Sequence, residues 1–220
     1  MRKGCPLRVM SALLLGLGLF VPSDARMSER GTLAIYFREA KIGYEEYVWT
    51  EDAEGYELSV TGRMSGPMTL EIERLRLRMD RDFIARTFFF KGTVNGVPQE
   101  IESTLREGAV TNRIKVAGQV MDSTASVRRD ALLLPNPIFS PYLVVAKKFG
   151  CGLQAPAEIA AYIIPQVEVA GRVEPKAGSP CALVLTLGGV EIALAADEEG
   201  RLTSLLIPGQ GIRVAVEETF

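Results

Sequence analysis

Met68-Thr69-Leu70-Glu71-Ile72-Glu73-Arg74-Leu75-Arg76-Leu77-Arg78-Met79 is the stretch whose reading decides the fold class. Its apolar residues recur at every second position, the period of a half-buried strand and not of a helix. The phase changes once. Leu70 and Ile72 share a face with Arg74, Arg76 and Arg78, whereas Leu75, Leu77 and Met79 form the later apolar set. One extra residue near Glu73-Arg74, a β-bulge, restores a continuous buried face and bends the strand, which suits a strongly curved sheet.

Working outward, the same alternation and the same hairpin punctuation fill most of the chain. Upstream lie Thr32–Arg38, Tyr44–Thr50 and Tyr56–Met64, separated by turns at Lys41-Ile42-Gly43 and Asp52-Ala53-Glu54-Gly55. Downstream, Phe83–Val94 reaches Asn95-Gly96, residues that accept the positive φ of a two-residue hairpin turn, and Val97–Arg106 returns. Ala109–Val116, Gln119–Val127, Glu158–Ile164, Val167–Glu174, Ala182–Leu187, Val190–Ala196, Leu202–Ile207 and Ile212–Glu217 continue the series. These 14 candidate strands with short connections predict a mainly β fold, a large antiparallel meander forming a curled half-barrel or a barrel.

One segment departs from this pattern. Ala131-Leu132-Leu133-Leu134-Pro135-Asn136-Pro137 is an apolar connector, and Ser140-Pro141 opens a helix through Phe149. Ser140 suits the N-cap and Pro141 the first helical position. Lys147 and Lys148 fall in the last turn, where cations favour the helix dipole, and Gly150 supplies the stop. Tyr142, Leu143, Val144, Val145 and Ala146 make the helix apolar almost all round, so it is expected on the concave side of the sheet.

The amino terminus reads as a secretory signal peptide over residues 1–25, followed by a single β-rich domain over residues 26–220. Arg2, Lys3 and Arg8 precede an apolar run, Val9–Val21, and Ser23-Asp24-Ala25 offers small residues to a peptidase. A run of about 13 residues is shorter than the roughly 20 that a spanning helix needs, and no other long apolar run follows. The expected location is therefore periplasmic or secreted, with no transmembrane segment after cleavage. Cys5 precedes the apolar run and cannot be a lipid-bearing cysteine. Removing the three cations and one acid of residues 1–25 from 25 Lys+Arg and 27 Asp+Glu leaves 22 and 26, a net charge of −4. A mildly acidic chain without a basic block lacks the footprint of a nucleic-acid binder. Cys151 and Cys181 form an even pair that an oxidising compartment would bridge.

Histidine is absent from the whole chain. Ser-His-Asp and Cys-His catalysis, His-ligated zinc and haem with a histidine ligand are thereby excluded. Carboxylate pairs occur at Glu45/Glu46, Glu71/Glu73, Asp80/Asp82 and Asp197-Glu198-Glu199, but strand neighbours such as Glu45 and Glu46 point to opposite faces, and the last trio lies in a turn. Asp80 and Asp82 are read as a solvated turn, Ser140 with Lys147 or Lys148 as cap and dipole partners, and the arginine row as a polar outer face. No catalytic residue, metal ligand or cofactor is assigned. Phe88-Phe89-Phe90 places aromatics on both faces of one strand, as burial on both sides or an apolar-ligand cavity would require.

A signal peptide, a long meander with glycine-bearing hairpins and a late apolar helix together resemble the LolA/LolB group of periplasmic lipoprotein carriers. Lys41-Ile42-Gly43-Tyr44-Glu45-Glu46-Tyr47 and Asp52-Ala53-Glu54-Gly55-Tyr56 are also similar to openings of uncharacterised secreted bacterial β domains. The resemblance spans most of residues 32–217 and lies in architecture, so it assigns no functional residue. The candidate disulfide and the absent lipid-bearing cysteine depart from the LolB pattern. It implies an open barrel whose apolar concave side takes acyl chains under a helical lid.

Three classes of function follow. The first is a non-catalytic exported protein that carries or senses a lipid or other apolar small molecule, with Phe88, Phe90, Tyr142, Val145 and Phe149 as its lining. The second is a structural or interaction module with an envelope protein as partner. The third is a histidine-free carboxylate hydrolase.

Overall fold

The computed structural model describes residues 27–219, and the expected signal peptide at 1–25 lies outside the described residues. A first antiparallel series runs through β1 (Met27–Phe37), β2 (Ala40–Asp52), β3 (Gly55–Met64), β4 (Leu70–Met79), β5 (Ala85–Val94), β6 (Val97–Arg106), β7 (Ala109–Val116) and β8 (Gln119–Ser126). The connector contributes β9 (Leu132–Leu133) and leads to helix α1 (Tyr142–Phe149). A second series follows through β10 (Ala157–Ile163), β11 (Val167–Pro175), β12 (Ala182–Leu187), β13 (Val190–Ala196), β14 (Leu202–Ile207) and β15 (Ile212–Thr219).

All strands belong to one curled, unclosed sheet in the order β8-β7-β6-β5-β4-β3-β2-β1-β15-β14-β13-β12-β11-β10-β9. The sheet is thus two meanders joined along β1 and β15, where Leu33 lies opposite Val216 on one side and Glu45 on the other. That pairing places β1 at the middle of the strand order, and Leu33, Ala34 and Ile35 are buried. The sheet ends at β8 and at two-residue β9, which pairs in parallel with β10.

The bulge expected from the phase change is present. The β4–β5 register shifts between Ile72 and Arg74, and Leu70, Ile72, Leu75, Leu77 and Met79 are all buried on one face. The arginine row lies outside, where Arg78 pairs with Glu54 at 2.5 Å. Exposed pairs of this kind contribute roughly 0.2–1 kcal/mol each. At the β5–β6 turn, Asn95 (φ 50°) and Gly96 (φ 77°) adopt the positive φ their types permit.

The helix fills one end of the curl. Leu143, Val144, Val145 and Ala146 are consecutive and all buried, so apolar neighbours surround the axis. Ser140 does not cap it. No side-chain cap bond forms and the helix starts at Tyr142, because the Ser140 hydroxyl is engaged by a buried carboxylate. The far end is pinned three ways. Lys147 Nζ lies 2.7 Å from Glu29 and 5.3 Å from the Trp49 ring centroid. Trp49, Tyr56 and Phe83 pack ring against ring, with centroids 4.6–6.3 Å apart. Cys151, in the turn after α1, is disulfide-bonded to Cys181 before β12. None of the described helices is long and apolar enough to cross a membrane.

The two flanks of the sheet are clasped inside the curl. Asn112 of β7 donates from Nδ2 to the Tyr162 hydroxyl of β10 at 3.0 Å and accepts from Ser103 Oγ at 2.7 Å. Tyr162 in turn donates to the Pro165 carbonyl at 2.9 Å. Both residues are buried, so each lost partner leaves a polar atom without solvent.

Tyr162→Phe is expected to lower the unfolding free energy by about 1–3 kcal/mol, measured by urea titration. The double substitution Cys151→Ser/Cys181→Ser opens a loop of sequence separation 30. It is expected to cost about 3–4 kcal/mol, read as a melting temperature lower by on the order of 10 °C.

Candidate functional site

The hairpin turns β1–β2, β3–β4, β5–β6, β10–β11, β12–β13 and β14–β15 gather at one end of the curl, opposite the end that the helix terminus and disulfide close. At this mouth the connector between β9 and α1 crosses the concave face and divides the space beneath the turns. Leu134 N–H donates to the Tyr162 carbonyl at 3.0 Å, and Ile138 N–H closes a tight turn onto the Pro135 carbonyl at 2.9 Å. Prolines at 135 and 137 suit such a crossing, since they bring no N–H that would need a buried partner.

A cleft lies on each side of this partition. The first, of about 310 Å³, is lined by Ile163, Leu187, Val190, Ile192, Ile207 and Ile212 of the second meander and by Tyr142. The second, also about 310 Å³, is lined by Leu70, Phe88, Phe90, Val94 and Ile101 of the first meander. Pro135, Asn136, Pro137, Ile138 and Ile163 line both. Polar lining comes from amides: Asn136 in both clefts, Gln210 in the first, Gln99 and Gln166 in the second. Among the described residues no charged side chain lines either cleft. Burial pushes the Tyr142 hydroxyl up to about 12, so it is neutral at physiological pH.

The residues singled out from sequence are divided between places. Phe88 and Phe90 line the second cleft and Tyr142 the first. Val145 and Phe149 line neither: Val145 is fully buried within the core, and Phe149 is half-buried near the closed end. Sequence reasoning missed the partition itself. Its signal was present, an apolar run broken by Pro-Asn-Pro that is too short for a helix. Asp80 serves its own turn, accepting from Asp82 N–H and Ile84 N–H at 3.0 Å each and pairing with Arg86 at 2.5 Å. No group of three or more acidic or cysteine side chains suited to a metal ion forms among the described residues.

No protein-family model matches this chain, and no curated protein matches it. Among solved structures it is similar to a DUF1089 family protein from Pseudomonas aeruginosa at 14% identity, with a TM-score of 0.43, over 91% of this chain and 98% of that one.

One buried carboxylate holds the partition in place. Glu45 of β2 is 1% exposed and stands in phase with Tyr47 and Trp49 on the inner face, while Glu46 points outward. Its Oε1 accepts from Phe139 N–H at 2.9 Å, and its Oε2 accepts from Ser140 N–H at 2.6 Å and from the Ser140 hydroxyl. Gly62 on β3 makes room, since a Cβ there would lie 2.9 Å from Glu45 Cα and 2.5 Å from the Tyr44 carbonyl oxygen. Three donors favour the ionised form, but burial outweighs them and raises the carboxyl above its ordinary value.

The folded state therefore holds this proton more tightly than the unfolded chain. Its contribution to stability is full below the ordinary value of 4.5 and is lost as pH rises through the raised one. Glu45→Gln is expected to remove that loss, so the stability difference between wild type and variant shifts toward the variant as pH increases. Urea midpoints across a pH series check this, and a difference that stays flat above pH 4.5 contradicts it.

Proposed function

We infer that this protein is an exported, non-catalytic binder that carries or senses an apolar, lipid-like ligand. The observation that carries the reading is the pair of clefts at one mouth of a sheet whose other end is filled by its own helix, the first mainly apolar and the second sharing its surface between apolar side chains and polar groups. Each cleft has the volume of a small-molecule site, at the lower end of the range of about 300–1,000 Å³. Uncharged walls that combine apolar side chains with amides suit a ligand held by desolvation and oriented by neutral hydrogen bonds. The described walls carry no carboxylate, lysine, serine or cysteine. The architectural resemblance to LolA/LolB carriers supports the same reading, and the cysteine pair supports an oxidising, periplasmic location.

A second reading has its own observation. Edge strand β8 is bonded on one side only and exposes Val120 at 48% and Met121 at 53%. An exposed strand edge with apolar side chains is a template for a partner protein's strand.

Native mass spectrometry of protein purified from the periplasm, followed by lipid extraction, is expected to show a co-purifying apolar ligand. A fluorescently labelled acyl ester should bind, and Ile163→Arg, which places a charge in the wall shared by both clefts, should weaken it by about tenfold or more. Val120→Ser on β8 should leave that binding unchanged. Absence of both co-purifying lipid and ester binding overturns the reading.

A further inference from the structure

The two clefts are equal in volume, open at the same mouth and share one wall, the Pro135–Ile138 turn with Ile163. Asn136 is exposed at the crest of that strip and lines both clefts, so its amide can donate and accept at the point where they meet. The charge pattern is equally specific. Gln210 stands on one side, Gln99 and Gln166 on the other, and among the described residues no cation or anion lines either cleft. An ionic group drawn into such walls would lose its hydration without gaining a partner.

We propose that the clefts are the two halves of one site for an uncharged lipid with two acyl chains. One chain lies on each side of the Pro135–Ile138 partition, and the neutral link between the chains rests on Asn136. This deepens the apolar-ligand reading and rests on it. The physical advantage is that of two tethered arms. When both chains of one molecule are seated, the second binds at the effective concentration set by the link. Affinity then exceeds that of a single chain by about 10²–10⁴.

The experiment compares dioctanoylglycerol, monooctanoylglycerol and dioctanoyl phosphatidic acid on the intact mature protein, by calorimetry and native mass spectrometry. Dioctanoylglycerol is expected to bind one per protein, at least about a hundredfold tighter than the single-chain compound. Monooctanoylglycerol should reach two per protein, and phosphatidic acid should bind no tighter than the uncharged diester. Val190→Arg obstructs only the first cleft and Val94→Arg only the second, at positions that are not fully buried. Either variant should reduce dioctanoylglycerol to single-chain affinity and cut the monooctanoylglycerol stoichiometry to one. Thermal melts confirm that both variants fold.

Single-chain binding at one per protein, insensitive to one of the two substitutions, overturns the two-arm site while leaving the apolar-ligand reading standing. The same follows if the two-chain compound gains nothing over the single chain. Tighter binding of phosphatidic acid overturns the uncharged link. Failure of all three compounds to bind overturns both readings together.

Discussion

An antiparallel sheet that curls without closing must cover a long apolar face, and this chain covers it with its own connector and helix. The inward side chains of most strands form one cluster with Leu132–Leu134, Ile138, Phe139 and Leu143–Ala146. In a closed barrel opposing strands would fill that space themselves. Here the buried helix supplies the missing layer, and the disulfide, the Lys147–Glu29 pair and the aromatic cluster hold it at one end. Everything at the other end follows from the connector being too thin to fill the curl. It crosses the mouth as a single strip of chain, and the space left on either side becomes the two clefts.

Glu45 and the Asn112–Tyr162 clasp show how polar groups are used inside this core. Each buried polar atom meets a specific partner, so each interaction fixes a distance that apolar packing would leave adjustable. Glu45 ties β2 to the start of the helical segment 94 to 95 residues later. Asn112 and Tyr162 tie the two flanks of the sheet where no backbone ladder joins them. The same low dielectric that strengthens the hydrogen bonds raises the Glu45 carboxyl, so anchoring the partition with an ionisable group makes it sensitive to pH.

Much of this fold is legible in the amino-acid sequence. The alternation of Leu70–Met79, its change of phase at Glu73-Arg74, and the Asn95-Gly96 turn each correspond to an observed strand, bulge or hairpin. Tyr142–Ala146 was readable as a buried helix because an all-round apolar surface has nowhere else to go. Ser140 was misread as a cap because N-cap preference is local, whereas its hydroxyl partner comes from a distant strand. Glu45 carried a signal that the carboxylate pairing obscured: it shares the parity of Tyr47 and Trp49 and so had to point inward. Phe88 and Phe90 were separated from Tyr142 by something no pattern contains, the line where the connector crosses, whereas Val145 and Phe149 lie away from both clefts, in the core and near the closed end.

The sequence by itself determined the long strands, the buried helix and the cysteine pair, but not two-residue β9, and it placed the first turn at Lys41-Ile42-Gly43 where the chain turns at Arg38-Glu39. Each depends on periods of two or 3.6 residues, or on the chemistry of single residue types. Only the tertiary structure decided that β1 pairs with β15, that two meanders share one sheet, and that the Pro135–Ile138 strip leaves clefts of equal volume on its two sides. The physical reason is that a strand's face is a local property, whereas a cavity is the space that distant segments fail to fill. Its walls are set by packing across the whole chain.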